Sequence, residues 1–271
     1  MNELWVDVRW TSRERPHFYE SNRYCDGFVE LCAERIHSFI TDECACFYDS
    51  DRKIVCALLG YIANFEELRQ RYAFSIQQDA ALGSMMYAIG GIKALYDLEG
   101  VFLCCIYDER KKDMVFFQSP YGFCLPLYYT QQPEGFFFST SLRRLLRNVP
   151  GKRELDHESV YDFLHTGSII PNENTLLKKV KKIIPGTYLS VAVPGRSLSV
   201  HRIRRRKKKS LRSYARQSLV AAIRKNVERL YRQVREKSIT HTLTAGFDGN
   251  LLLFFFKQLG ASHVCAITIS G

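Results

Sequence analysis

The chain has 271 residues, of which 46% are hydrophobic and 25% charged, and this composition is typical of a globular protein and excludes a disordered or fibrous one. Its nine cysteines are an odd number without paired CxxC spacing, which disfavours a disulfide framework or a zinc site and indicates reduced thiols in the cytoplasm. The amino-terminal MNELWVDVRW lacks the apolar core of a secretory signal. The longest Leu/Phe run, LLLFFF, is far shorter than the roughly 20 apolar residues of a membrane span, so no membrane association is expected.

The formal net charge of +11 is concentrated in one local run, in which eight basic residues lie between Arg202 and Arg212 without an acid. Such a run can bind phosphate groups, but a solvated linker is the favoured interpretation because no aromatic-rich RNA-binding motif accompanies it. The sequence therefore predicts three segments, a domain at 1–201, a basic linker at 202–212 and a second domain at 213–271, and disfavours nucleic acid as a partner.

In the first domain, the pattern alternates between helices and strands. The stretch GFVELCAERIHSFI (27–40) predicts a helix, ECACFYDSD and KIVCALLG predict strands, and NFEELRQRY and DAALGSMMYAIGGIKALYDL predict helices. Further on, GVFLCCIYD, DMVFFQS, EGFFFST and PGTYLSVAV predict strands, RSLSVHRI a strand pairing back on the last of these, and SLRRLLRN and DHESVYDFLHTG helices with capping residues at their ends. This order predicts an α+β sandwich.

The second domain has a different pattern. A basic amphipathic helix starts near Tyr214, and then strand ITHTL, loop TAGFDGN, helix LLLFFFKQLG and strand HVCAITIS follow. This β-loop-α-β order predicts the start of a parallel α/β sheet.

The loop itself has two interpretations from its residues alone. Its backbone N–H groups can bind an anion, with Gly246 and Gly249 permitting positive φ, Thr244 adding a hydroxyl and Asp248 acting through a magnesium ion. Alternatively it is a tight turn in which Asp248 or Asn250 caps the following helix.

A resemblance favours the first interpretation. LTAGFDGN resembles the S-G-G-x-D-S pyrophosphate loop of the asparagine synthetase family, and GYIANFEELR resembles that family's N-G-E-I-Y-N-x-x-E-L-R. DLEGVFLCCIYDERKKDMVFF, SPYGFCLPLYY, FFFSTSLRRLL and the stretch ending in IIPGTYLSV resemble further family motifs in the same order. The resemblance implies an αββα sandwich of the N-terminal-nucleophile (Ntn) type, followed by an ATP pyrophosphatase domain.

In the first domain, the resemblance places the glutaminase residues on positions that have changed. The nucleophilic cysteine after the initiator methionine is Asn2 here, and a carboxamide cannot be a nucleophile. The family's N-G-E aligns with Leu59, Gly60 and Tyr61. Gly60 and Asp79 are the expected remnants of the glutamine site, although Asp79 is better explained as a helix cap. Glutamine hydrolysis is therefore expected to be lost.

In the second domain, the resemblance implies ATP and Mg²⁺ as cofactors, with Asp248 as the metal-linked acid. The chain ends after the second strand of a sheet that has more strands in the family, so the expected synthetase half is incomplete. The residues expected to bind ATP are Leu243, Thr244, Ala245, Gly246, Phe247, Asp248, Gly249, Asn250 and Ile269.

The expected function is ATP-dependent amide-bond formation on a small-molecule or peptide carboxylate, with ammonia or a substrate amine as the nucleophile. The family's β-lactam- and peptide-cyclising members are one variant of this expectation. A non-catalytic interaction subunit is the alternative, and a homodimer or a partner that completes the synthetase sheet is the expected assembly.

Overall fold

A computed structural model describes residues 3–9, 18–20, 22–34, 46–121, 125–148, 151, 153–167, 172–203, 216–236, 238–244 and 246–268. The chain divides into two compact units, Met1–Arg204 and Arg205–Gly271. All but the first two residues of the basic run at 202–212 lie outside the described residues, so its interpretation as a linker stays a prediction.

The described part of the first unit is built on two antiparallel sheets. In chain order its strands are β1 (Glu3–Arg9), β2 (Phe18–Glu20), β3 (Arg23–Cys25), β4 (Val29–Glu34), β5 (Cys46–Asp49), β6 (Ile54–Ile62), β7 (Gly100–Asp108), β8 (Asp113–Gln118), β9 (Tyr128–Gln132), β10 (Gly135–Ser139), β11 (Lys181–Lys182), β12 (Thr187–Ala192) and β13 (Ser197–Arg202). One sheet has the order β11-β9-β10-β1-β4-β3-β2, and the other has the order β13-β12-β8-β7-β6-β5.

Apolar side chains from the two sheets meet in one core. In β1 the inward residues alternate with outward ones, and Leu4, Val6 and Val8 pack with Leu59 of β6 and Phe116 of β8. Because successive side chains of a strand point to opposite faces, each sheet also presents an outer face that needs cover. The core between the sheets therefore fixes which residues face outward.

Helices cover those outer faces. Their bounds are α1 (Phe65–Arg71), α2 (Asp79–Gly90), α3 (Ile92–Leu95), α4 (Leu142–Asn148) and α5 (His157–Thr166). Residues of α1 to α3, such as Leu68, Leu82 and Leu95, pack on the outer side of β6 and β7, and Leu145 of α4 packs on Phe137 of β10. The layers run helix, sheet, sheet, helix, so the predicted α+β fold with antiparallel sheets is confirmed.

The second sheet, which contains β6 and β7, also brings two thiols together under α2. The sulfurs of Cys56 in β6 and Cys104 in β7 lie 3.4 Å apart, and both side chains are fully buried. Gly83 of α2 packs over them, since a Cβ at that position would lie 2.9 Å from the Cys56 sulfur. Close approach of α2 to the sheet therefore depends on this glycine.

The predicted helix at 27–40 is wrong, because residues Val29–Glu34 form β4. Val29, Leu31 and Ala33 alternate into the core between the sheets, and β4 pairs with both β1 and β3. Pairing on both sides outweighs the local helical preference of a stretch rich in Glu, Leu and Ala. The sequence analysis also assigned no strand to β1, although its residues alternate between inward and outward faces.

The predicted helix ends are well defined. Asp156 caps α5 by accepting a hydrogen bond from Ser159 N–H at 2.9 Å, and Gly167 ends the helix at a φ of 69°. Ser141 precedes α4 and its hydroxyl oxygen accepts from Arg144 N–H at 3.3 Å. The long helix predicted at 79–98 is divided into α2 and α3 by Gly91, whose φ is 61°.

The second unit contains α6 (Arg216–Val234), β14 (Ile239–Thr242), α7 (Phe247–Gln258) and β15 (Val264–Ile267). The strands pair in parallel, with Ile239 opposite Val264 and Thr242 opposite Ile267, so the β-loop-α-β order is as predicted. Val227 of α6 and Phe255 and Phe256 of α7 form its buried core. Among the helices described in either unit, none is long and apolar enough to cross a membrane.

A buried carboxylate connects the β3–β4 loop to the β7–β8 hairpin. Asp26 accepts hydrogen bonds at 2.8 Å from the Tyr107 hydroxyl, the Lys112 ammonium and Val29 N–H. Burial is the largest influence and raises the pKa of Asp26, but the hydrogen bonds from Lys112, Tyr107 and Val29 together outweigh it and hold the pKa below its ordinary value. The folded state therefore favours the ionised carboxylate.

Replacing Asp26→Ala should destabilise the first unit by about 3–5 kcal/mol, because it leaves Lys112 and Tyr107 without their acceptor. Since the folded pKa lies below the unfolded one, this stabilisation is present above the unfolded pKa of about 3.9 and is lost as the pH falls through the folded pKa. Urea unfolding measured from pH 7 down to pH 2 should show a smaller loss in the variant than in the wild type, because other carboxylates such as Asp49 also have a lowered pKa. Asp51→Asn, at an exposed turn, is the control and should leave the profile unchanged.

Candidate functional site

The residues expected at the glutamine site lie at the end of β6 and the start of α2. Gly60 has a φ of 98°, and a Cβ there would lie 2.0 Å from the Val101 carbonyl oxygen of the neighbouring strand. Strand pairing nevertheless continues past it, with Gly60 opposite Phe102 and Ile62 opposite Gly100. A glycine is therefore required at this position by the backbone itself.

Asp79 is held against the same strand end. Its side chain is buried, and its Oδ2 accepts a hydrogen bond from Ile62 N–H at 3.2 Å. Asp79 is the first residue of α2, and Gln78 is the N-cap without a side-chain cap hydrogen bond, so the interpretation of Asp79 as the cap is wrong. The structure thus brings Asp79 close to Gly60, two residues before Ile62, and uses its carboxylate to hold the end of β6.

The two residues beside Gly60 offer apolar and phenolic groups instead of an amide and an acid. Leu59 is buried in the core between the sheets, and Tyr61 is partly exposed. Asn2 lies outside the described residues, directly before β1. The start of β1 is fixed by two hydrogen bonds. Leu4 N–H donates to the Thr140 hydroxyl oxygen at 3.0 Å, and Thr140 N–H donates to the Leu4 carbonyl at 2.9 Å.

An open cavity of about 610 Å³ lies beside the start of α2. Phe47 and Tyr48 provide aromatic walls, and Gln78 and Arg69 lie at its edge. The Arg69 guanidinium is paired with Glu66 at 2.7 Å, so its charge is already balanced. The cavity can admit a small molecule, but its described lining presents no arrangement of acid, base and nucleophile.

In the second unit, the helix starts inside the predicted loop. Gly246 is the N-cap of α7 with a φ of −69°, so Asp248, Gly249 and Asn250 belong to the first helical turn. Neither Gly246 nor Gly249 uses the positive φ that a glycine permits. Ala245 and Ile269 lie outside the described residues.

Hydrogen bonds between residues close in sequence order this turn. The Thr244 hydroxyl oxygen accepts from Gly246 N–H at 3.2 Å, and Asn250 Nδ2 donates to the Gly246 carbonyl at 2.9 Å. Asn250 therefore donates where a cap would accept, and Asp248 lies in the first turn instead of preceding it, so the interpretation of either as the N-cap is wrong. Asp248 is exposed at the positive end of the helix, next to Phe247.

Two further contacts complete the turn. Leu243 N–H donates to the Ile267 carbonyl at 2.9 Å, which extends the parallel pairing up to the turn. The ring of His241 reaches the Gly249 carbonyl, with 3.0 Å between Nε2 and the oxygen. The sequence analysis missed His241, because a polar residue in a short strand carries no signal of its partner. Elsewhere in the described chain, no group of three or more His, Cys, Asp or Glu side chains could hold a metal ion.

The sequence matches the family described as the glutamine amidotransferase domain over residues 20–202. The chain belongs to this family. The two antiparallel sheets with helices on their outer faces are the Ntn-type domain that this membership implies. No curated protein matches the chain.

Several solved structures resemble this glutamine amidotransferase chain. They include the glutamine phosphoribosylpyrophosphate amidotransferase from B. subtilis, complexed with ADP and GMP, at a TM-score of 0.45 and 12% identity over 98% of this chain and 59% of that one. A structure described as the allosteric regulatory enzyme of purine biosynthesis has a TM-score of 0.46 and 12% identity over 98% of this chain and 58% of that one. A glutamine aminotransferase class-II domain protein from Silicibacter pomeroyi has a TM-score of 0.43 and 11% identity over 74% of this chain and 98% of that one. This chain thus spans less than two thirds of the length of the first two.

Substituting Gly60→Ala should destabilise the first unit by more than the same change at Gly91. Both glycines have positive φ, which costs an alanine roughly 1 kcal/mol. Only at Gly60 would the new Cβ also meet a backbone oxygen, whereas nothing lies within 4 Å at Gly91. We expect roughly 3 kcal/mol or more at Gly60 and about 1 kcal/mol at Gly91 in denaturant unfolding. Equal losses would contradict the close approach of β6 and β7.

Proposed function

We propose that this glutamine amidotransferase-family chain is asparagine-synthetase-like and takes part in ATP-dependent amide-bond formation without hydrolysing glutamine. A carboxylate oxygen attacks the α-phosphorus of ATP and pyrophosphate leaves. The nitrogen of ammonia or of a substrate amine then attacks the acyl carbon and loses a proton, and the single bond from that carbon to the bridging oxygen breaks, so that AMP leaves with this oxygen. The observation that carries the proposal is the exposed turn at Gly246–Asn250, which follows a parallel strand and starts a helix.

The chemistry of that turn suits a polyphosphate. The N–H groups of a helix's first turn lack intrahelical partners and lie at the positive end of its dipole. Exposed Asp248 is adjacent, and a carboxylate beside phosphate is favourable when Mg²⁺ bridges the two. Gly246 places no side chain beside these N–H groups. ATP and Mg²⁺ are accordingly the proposed cofactors.

Loss of the glutaminase is supported by the residues around Gly60. A glutaminase of this type needs a nucleophile and donors for the oxyanion that develops on the amide. Asn2 offers no nucleophilic atom, and Leu59 offers no amide donor. The Asp79 carboxylate already accepts a backbone hydrogen bond. Ammonia or a substrate amine therefore replaces glutamine as the nitrogen source.

A non-catalytic interaction subunit is the second candidate, and the surface of α5 favours it. Tyr161, Phe163 and Leu164 of α5 are exposed, and Leu164 is 76% exposed. Exposed apolar side chains grouped on one short element are typical of protein–protein contacts. In this case the amidotransferase fold serves as a scaffold, and a second copy or a partner covers α5.

The first prediction concerns glutamine hydrolysis. The purified chain should release no ammonia from glutamine, and Asn2→Cys should not restore release, because Leu59 and Tyr61 still lack the polar groups of the pocket. The measurement is a coupled glutamate dehydrogenase assay with an active family member as the positive control. Ammonia release by the wild type above the no-protein rate would contradict the loss.

The second prediction concerns the turn. Asp248→Ala should weaken binding of ATP roughly tenfold with Mg²⁺ and leave magnesium-free binding nearly unchanged, because the carboxylate acts through the metal. Gly246→Val should abolish both, since its Cβ would lie 3.1 Å from the Thr244 hydroxyl oxygen and its methyl groups fill the space before the N–H groups. Titration calorimetry with and without Mg²⁺ measures the affinities.

Glu236→Ala, an exposed acid of the same unit, is the matched control, and a melting curve shows that each variant is folded. If both turn variants fold and bind ATP as the wild type does, the nucleotide site is wrong. If the wild type itself binds no ATP, the interaction subunit becomes the better explanation.

A further inference from the structure

Strand β14 directs one histidine towards the first turn of α7. Alternate side chains of a strand face the same side. Ile239 packs with Phe255 and Phe256, in the last turns of α7. His241 lies two residues further along the same face, so its ring lies towards the opposite, amino-terminal end of the helix. It is partly buried there.

The ring makes a hydrogen bond of defined direction. Nε2 of His241 lies 3.0 Å from the Gly249 carbonyl oxygen. A carbonyl oxygen can only accept, so Nε2 carries the proton and donates. Placing a polar ring on the helix-facing side of a strand is costly unless its polar atoms are bonded. The Gly249 carbonyl supplies that bond.

The ring of His241 packs closely against the backbone of Gly249. A Cβ at this position would lie 3.3 Å from His241 Nε2 and 3.5 Å from the Thr242 carbonyl oxygen. Gly249 has an ordinary helical backbone, so positive φ does not explain the glycine. The ring of His241 occupies the space that a side chain at 249 needs.

We infer that His241 and Gly249 form a coupled pair in which His241 is a positioning residue for the first turn of α7. The hydrogen bond holds the turn against the end of β14, and the missing side chain at 249 makes room for the ring. The N–H groups of Phe247 and Asp248 are thereby held at a fixed distance from Thr244. As a role in nucleotide binding, this rests on the proposed function.

The pairing explains a departure from the related loop motif. Where S-G-G-x-D-S ends in serine, this chain has Gly249, and the removal of a side chain there coincides with a histidine in the preceding strand. Each residue alone is unfavourable: a glycine weakens a helix, and an unbonded histidine on an inward face is costly. Together they are compatible, and this makes their effects non-additive.

Amide hydrogen exchange of the full chain tests the pair without a ligand. In His241→Val, peptides covering 246–252 should exchange roughly three- to tenfold faster, because one net hydrogen bond is lost. His241→Gln, whose side-chain amide can still donate to the Gly249 carbonyl, should stay within about twofold of wild type. His263→Val, at an exposed histidine of the same unit, is the control and should change nothing in these peptides.

The coupling is tested with serine at position 249. Gly249→Ser should speed exchange in the presence of His241, because the serine side chain meets the ring. In the His241→Val background the same change should have a smaller effect, because valine leaves the space open. Unchanged exchange in His241→Val, or equal effects of Gly249→Ser in both backgrounds, would overturn the inference.

Mg-ATP affinity of the same variants separates the inference from the proposed function. If the turn binds nucleotide, His241→Val should weaken Mg-ATP binding roughly three- to tenfold and His241→Gln should restore it. Faster exchange with unchanged affinity would overturn the positioning role. Should the wild type bind no Mg-ATP, the proposed function fails, and the exchange data alone decide whether His241 and Gly249 are coupled.

Discussion

The apolar core between the two sheets is the constraint on which the first unit depends. Strands β6 and β7 lie inside the second sheet and are covered on both faces, so their sequences are nearly continuous apolar runs. Because a slip of one residue would exchange the faces of a strand, the core fixes the register of each strand. It also fixes the positions of Gly60, at the end of β6, and Asp79, which is bonded to that end. Both residues of the candidate site are therefore held where the fold places them.

The core of the first unit is built from a set of residues that does not include Gly60 or Asp79. Its residues come from strands of both sheets and are mostly aliphatic and aromatic side chains, together with Met114 and the thiols of Cys46 and Cys105. The Asp79 carboxylate accepts a hydrogen bond from the backbone N–H of Ile62. Asp26 and its partners add a second fixed point at another loop of the sandwich.

Much of the fold could be predicted from the sequence, because most elements carry strong local patterns. The hairpin of β7 and β8, helix α5 with Asp156 and Gly167 at its ends, and the β-α-β order of the second unit are examples. The 27–40 stretch failed because a short apolar run has a similar appearance in a helix and in a buried strand. Pairing with β1 decides that this stretch is a strand, and β1 itself was not predicted as a strand.

The site was less predictable than the fold. Gly60 and Asp79 were identified through a resemblance, but the bond between Asp79 and Ile62 N–H joins two elements and has no sequence pattern. The same holds for His241 and Gly249, eight residues apart across a turn. The start of α7 was placed too late, because glycine and asparagine favour loops locally and the packing of Phe255 and Phe256 determines how far the helix extends. Contacts between elements, rather than the elements themselves, are what local patterns leave undetermined.

The buried thiols beneath α2 give the molecule an internal reporter. Of the cysteines described, Cys265 is exposed and the others are buried, all of them in the first unit. Burial raises the pKa of the Cys56 and Cys105 thiols, and a protonated, enclosed thiol does not react with alkylating reagents. Among the cysteines that the structure describes, a native chain therefore offers Cys265 to such a reagent and keeps those of the sandwich protected. The rate at which Cys56 and Cys104 become modified measures how often α2 separates from the second sheet, in an otherwise unlabelled protein.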